Sequence, residues 1–260
     1  MCLIALAWNV HPRYRLAMIA NRDEQHARPT APAGRDPDHG DVFGGRDLVQ
    51  GGGWLMVSSR GRVAAVTNVR AGLNPESAPL SRGALVRGFV SGNASAENYL
   101  DALAADAPHY GRFNLLAWDG TTLAFATNHP RFATRILEPG IHAMSNGALD
   151  ATWPKGTHAT QALTEWLDAN TGEETDTTGL FDALADTTKA PDSLLPDTGV
   201  GLELERALSP PFLRGESYGT RCSTIVLVAQ DEITFLEHRF GPNATPAGET
   251  AALLSRIPLP

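Results

Sequence analysis

Cysteine occurs twice in these 260 residues, and one of the two is the second residue of the chain. An initiator methionine is ordinarily trimmed when the next side chain is small, so Cys2 is expected to lose Met1. It would then carry a thiol and a free α-amine on one Cα. That pair is a complete nucleophile and base: the sulfur attacks, and the amine, with an ordinary pKa of roughly 7.7–8.0, takes up a proton. A thiol with a pKa of about 8.5 is little ionised at neutral pH, so a nearby cation would help it. The run Asn21-Arg22-Asp23-Glu24 supplies a cation and two carboxylates. Taken alone, Cys2 reads more simply as a small hydrophobe at the start of a strand.

A hairpin must bring these groups together. Residues 2–8 are nearly all apolar and read as a buried strand, His11-Pro12-Arg13 turns the chain, and residues 14–20 form a second apolar strand. Paired as a hairpin, the end of the second strand lies beside the start of the first, with Arg22 and Asp23 next to Cys2. Residues 26–53 are rich in Pro, Gly and Asp and read as a long irregular rim. That stretch ends at Gly51-Gly52-Gly53-Trp54, which lacks the lysine and helix of a phosphate loop and reads as a close backbone approach presenting Trp54.

Further along, residues 55–58 and 63–68 read as strands around a Ser-Arg-Gly turn. Ser81 and Ser95 are the expected caps of two helices, with Leu85, Val86, Phe89 and Val90 on one face of the first. Residues 113–118 and 121–127 form a hairpin across Asp119-Gly120, and 141–144 is a short strand. Two helices follow Trp153-Pro154, one with Ala159, Leu163, Trp166 and Leu167 on one face, the other with Leu180, Phe181 and Leu184. Residues 187–215 read as irregular, 220–230 and 233–240 as an apolar hairpin, and the tail from Gly241 as loosely packed. Strands, helices, strands, helices, strands is the order of a single α+β domain over 1–260. Two sheets packed together with a helical layer outside each, a four-layer αββα sandwich, would bury every apolar face.

Composition narrows the function. A net charge of −8 with only two lysines, Lys155 and Lys189, makes nucleic acid an unsuitable partner. Two cysteines make no disulfide framework, and the chain shows neither a secretory pattern nor a membrane span, so a cytoplasmic protein is expected. Eight histidines include no HExxH and no Cys-x-x-Cys is present, so no metal or cofactor is expected. Gly215-Glu216-Ser217-Tyr218-Gly219 matches the nucleophile-elbow pattern, but an apolar strand follows it where a helix is required.

Asn21-Arg22-Asp23-Glu24, Gly44-Gly45-Arg46-Asp47, Thr67-Asn68-Val69-Arg70, Ser145-Asn146-Gly147 with Trp153-Pro154-Lys155, and Tyr218-Gly219-Thr220-Arg221, following an initial Met-Cys, resemble the NRDE family, also called the transport and Golgi organisation protein family. The likeness spans nearly the whole chain. That family is similar in turn to the cysteine N-terminal-nucleophile hydrolases, such as penicillin V acylase and the bile salt hydrolases. The resemblance implies an αββα fold and cleavage of a linear, non-peptide C–N amide bond. By position, Cys2 would be the nucleophile, Arg22 would stand near the sulfur and Asp23 would hold the amine. Asn146 would be an oxyanion donor, the Asn68–Val69 segment, through the Val69 backbone N–H, a second, and Arg221 would complete the charged cluster. Asn21, Glu24, Trp54 and Arg70 are the expected substrate contacts.

In the acylases the arginine and aspartate stand further apart, whereas here they are adjacent. Neighbours on a strand point to opposite faces, so both reach Cys2 only if the strand has ended or bulges. The family has also been associated with lipid or acyl-CoA metabolism and with haem mobilisation. The alternative expectation is therefore a non-catalytic carrier of lipid or haem on the same fold.

Overall fold

A computed structural model of the chain describes residues 2–73, 78–172 and 175–257. Met1, whose removal the sequence reading expects, lies outside the described residues. The strands are β1 (Cys2–Trp8), β2 (Leu16–Gln25), β3 (Thr30–Arg35), β4 (Val42–Asp47), β5 (Gly53–Ser58), β6 (Arg62–Asn68), β7 (Phe113–Trp118), β8 (Leu123–Thr127), β9 (Ala133–Ile136), β10 (Gly140–Met144), β11 (Tyr218–Val228), β12 (Glu232–Phe240) and β13 (Pro246–Ser255). The helices are α1 (Arg82–Ser91), α2 (Ala96–Ala102), α3 (Pro154–Ala169), α4 (Thr178–Leu184) and α5 (Leu202–Ala207).

Six strands form one antiparallel sheet in the order β10-β1-β2-β11-β12-β13, and seven form a second in sequence order from β3 to β9. Strand β1 shows why the layers stack. It is buried on both faces, so its run is continuously apolar rather than alternating. Ile4 and Leu6 meet Leu55, Val57 and Leu116 of the other sheet, while Leu3, Ala5 and Ala7 meet Leu163 and Leu167 of α3 and Leu180 of α4. Helices α1 and α2 cover the second sheet in the same way through Leu85, Val86, Phe89 and Leu100. The result is an αββα sandwich, and each fully buried Leu or Ile stabilises it by about 1.5–3 kcal/mol.

The structure departs from the sequence reading in several places. Residues 26–53 are not an irregular rim, because β3 and β4 cross them. Their Gly and Pro residues and two register slips erase the alternation that marks a strand. The tail is likewise the edge strand β13, exposed over most of its length and so without an apolar pattern. Strand β9, exposed throughout, also left no signal. Residues 187–215 contain the short α5. The β7–β8 connection spans four residues, not two, because the Asp119 carboxylate accepts from the N–H groups of Thr121 and Thr122. Ser95 caps α2 through its side chain, whereas Ser81 opens α1 without a side-chain bond. Among the described residues, no helix is long and apolar enough to cross a membrane.

Candidate active site

Strand β1 runs antiparallel between β2 and β10, and the start of β1 is where the chemistry collects. Cys2 pairs with Arg22, and both carry the parity of Ile4 and Ala20, which face the inter-sheet core. Arg22 is 6% exposed and Cys2 8%. The Asp23 backbone N–H donates to the sulfur, which with Arg22 favours the thiolate. Burial is the larger effect and pushes the thiol pKa up, with the Asp23 charge adding to it. A sulfur in this setting rests as a thiol and needs a base to take its proton.

β2 does not end at residue 20. It continues to Gln25 and carries the whole Asn-Arg-Asp-Glu run in the ladder. Arg22 therefore shares the thiol's face and Asp23 takes the other. The bulge falls instead in the partner strand, between Thr220 and Cys222 of β11. Its extra residue, Arg221, donates to the carbonyls of Gln25 and Arg28 and lines a neighbouring cavity rather than meeting Cys2. Asn21, fully buried, ties strands to loops: its amide donates to Leu184 and Pro211 carbonyls and accepts from Ser223. That is a scaffold position and not a cavity wall.

Beneath Asp23 lies a buried polar cluster. Thr220 Oγ1 donates to Asp23 Oδ1 at 2.7 Å, and the Tyr218 hydroxyl donates to the Asp23 carbonyl at 3.2 Å. Lys155, 3% exposed, reaches the Leu208 carbonyl at 3.5 Å. Burial pushes the Asp23 carboxyl up and the Lys155 amine down, and each one's charge opposes the other's shift. Lys155 stands in the first turn of α3, after Pro154, where a cation opposes the helix dipole. A buried cation in that position is retained only beside carboxylates. Arg70, expected at the substrate, pairs instead with the buried Glu205 at 2.5 Å and lies over the Trp153 ring. The sequence reading assigns no site role to Lys155, Tyr218 or Thr220. A lysine next to an apolar helix face, in a chain with only two, was the available signal for the first.

On the other flank, Met144 of β10 pairs with Ile4, and Ser145 Oγ donates to the Cys2 carbonyl at 2.8 Å. Asn146, fully buried, follows directly and donates one amide hydrogen to the Asn68 carbonyl at 2.7 Å. The Arg70 N–H returns a bond to the Asn146 carbonyl, so the end of β6 clasps the end of β10 across the two sheets. The Val69 N–H is occupied by the Arg112 carbonyl at 3.1 Å and is not the free donor that was expected. Asn68 itself lines the cavity beside Cys2.

That cavity has a volume of about 270 Å³. Cys2, Arg22, Asp23, Glu24, Trp54 and Asn68 all line it, together with Arg28, Arg46 and Asp47. Six of the ten residues singled out from the sequence therefore share one chamber, while Asn21, Asn146, Arg70 and Arg221 stand around it. Gly52 and Gly83 pack backbone to backbone at its wall, as the triple glycine suggested; a Cβ on Gly52 would fall 2.3 Å from the Gly83 carbonyl carbon. A larger groove of about 510 Å³ between α4 and β12 holds no thiol.

A family model described as Transport and Golgi organisation 2 matches residues 1–242. The chain is 31% identical over 258 residues to the Transport and Golgi organization protein 2 homolog of Bos taurus, covering 91% of this chain and 92% of that one. It is 30% identical over 259 residues to the Homo sapiens homolog, with coverage of 91% and 92%. Among solved structures, the Caenorhabditis elegans ortholog of N-acylethanolamine-hydrolyzing acid amidase aligns with a TM-score of 0.49 at 10% identity, covering 87% of this chain and 92% of that one. The C2A mutant of conjugated bile acid hydrolase from Clostridium perfringens aligns at 0.48 and 10% identity, covering 97% and 92%.

Proposed function

From a chain that belongs to the Transport and Golgi organisation 2 family and gathers a thiol, a guanidinium and a carboxylate at its own first strand, we propose an N-terminal-cysteine amidohydrolase. It acts, after removal of Met1, on a linear non-peptide C–N bond. The observation that carries this reading is the division of labour at β2: Arg22 on the sulfur's face, Asp23 on the opposite face. The adjacency that looked like a departure suits a residue whose nucleophile and base leave one Cα in different directions.

In this mechanism the α-amine of Cys2 takes the thiol proton as the sulfur attacks the acyl carbon. The raised thiol pKa makes that transfer necessary. The tetrahedral oxyanion receives a hydrogen bond from the Asn68 side chain, and Asn146, through its bond to the Asn68 carbonyl, holds that segment in position before the reaction. Asp23 holds the resulting ammonium, and the charge of Lys155 opposes the rise that burial imposes on the Asp23 pKa. The C–N bond breaks, the ammonium gives its proton to the departing amine, and a thioester remains. Water, deprotonated by the same amine, attacks the thioester and releases the acid and the thiol.

Carriage of lipid or haem is the rival, and the charged lining of the chamber speaks against an apolar cargo. The test is intact mass followed by turnover of an acyl-amide panel. The expected result is a chain lacking Met1 that releases amine, with Cys2→Ala inactive. A Cys2→Ala protein as active as the parent, or an active chain that keeps Met1, would reject the proposal. Haem titration followed by absorbance reads the rival directly.

A further inference from the structure

We propose that the ligand taken by this chamber is anionic: a compact acyl amide carrying a carboxylate a few bonds from the scissile bond, received by Arg46. The proposal rests on the hydrolase reading for the words "scissile bond" but on a separate observation for the charge. Four arginines line the cavity, Arg22, Arg28, Arg46 and Arg82, against three carboxylates. Each carboxylate already has a cationic neighbour. Asp47 is held by both branches of Arg28, at 2.6 and 3.1 Å; Glu24 lies 3.8 Å from Arg22 and 4.0 Å from Arg28; Asp23 is balanced by Lys155. The Arg46 side chain has no hydrogen bond or ion pair among the described residues, so the chamber keeps a positive excess inside a protein of net charge −8.

Arg46 stands in β4 where the ladders on both sides slip register, the extra residues lying in β3 and β5. It lines the cavity, while Asp47 beside it is spent on Arg28. The start of α1 lies in the same wall, with no acidic residue in its first turn, so its dipole adds to the same sign. A guanidinium with a free fork recognises a carboxylate through two parallel hydrogen bonds, a geometry that a neutral amide does not reproduce. Trp54, 8% exposed at the boundary with the next cavity, offers the flat apolar face for the acyl group.

The experiment is calorimetric binding to the Cys2→Ala protein, which removes turnover from the readout. The probes are N-acetylglycine, N-hexanoylglycine and N-lauroylglycine, each beside its neutral glycinamide. At least one acid is expected to bind about tenfold or more tightly than its amide, the preference shrinking as salt rises. R46Q is expected to bring that acid down to the amide's level. Equal binding of acid and amide, no binding by any acid, or a preference that survives R46Q would overturn the proposal. An inactive wild-type enzyme that still discriminates acid from amide through Arg46 would reject hydrolysis and leave the anion site standing. Turnover of neutral amides with no acid preference would do the reverse.

Discussion

Lys155 is the residue whose position calls for the most explanation. It is buried, stands against a helix dipole, and among the described residues has one long hydrogen bond from its amine, to the Leu208 carbonyl. Its charge lowers the Asp23 carboxyl pKa that burial raises. Removing the cation must therefore raise that pKa further, so Asp23 loses its proton only at higher pH. In Lys155→Met, the acid limb of Cys2 alkylation by iodoacetamide is expected to move up by about one pH unit, roughly 1.4 kcal/mol of lost charge stabilisation. Lys155→Arg should recover part of the shift. Peptide mass spectrometry separates Cys2 from Cys222, and an unmoved limb would assign Lys155 to packing alone. Cys222 is not a disulfide partner for Cys2. Both pair with Arg22, on opposite sides of β2, which sets their backbones two strand spacings apart, about 10 Å.

At the scale of elements, the cavity is shaped where α1 meets the glycine run before β5. The Gly52 and Gly83 backbones touch because neither carries a side chain, and this contact lets the helix start lie in the chamber wall. Gly52→Ala puts a methyl carbon 2.3 Å from the Gly83 carbonyl carbon, with backbone on both sides and nothing flexible to move. The expected cost is about 1–3 kcal/mol, read as a fall in Tm of several degrees, together with weaker ligand binding as α1 is displaced. An unchanged Tm would mean that the contact is loose. The β11 bulge is the companion device, since it turns Arg221 outward and leaves Thr220 on Asp23.

For the molecule as a whole, the layers are held by burial, and one ion pair pins a loop of the second sheet to its helical cover. Both oxygens of Asp36, just past β3, accept from Arg87 of α1 at 2.7 Å, and the N–H groups of Asp38 and His39 donate to the same carboxylate. The Arg87 bonds hold the Asp36 pKa at about 2. A depressed carboxyl stabilises the fold above its unfolded pKa of about 3.9, and that contribution is lost as pH falls towards 2. Asp36→Asn is expected to cost about 1–2 kcal/mol at neutral pH, and to flatten the loss of Tm between about pH 4 and 2. An unaltered acid profile would remove this pair from the account of stability.

What the amino-acid sequence determined by itself was local and periodic. The apolar runs of β1, β7, β11 and β12, the apolar faces of α1, α3 and α4, and the motif residues around Cys2 were legible because each is specified by neighbours within one element. Pairing Cys2 with Arg22 followed from the hairpin of the first two strands. Strands β3, β4, β9 and β13 were not legible, since exposed or slipped strands lose the alternation that burial imposes. Nor could spacing tell that Arg70 is spent on Glu205, that the Val69 N–H is taken, or that Lys155 lies under Asp23. Those outcomes join residues dozens to more than a hundred positions apart, and only packing two sheets and two helical layers together decides which charges meet and which, like Arg46, are left facing the cavity.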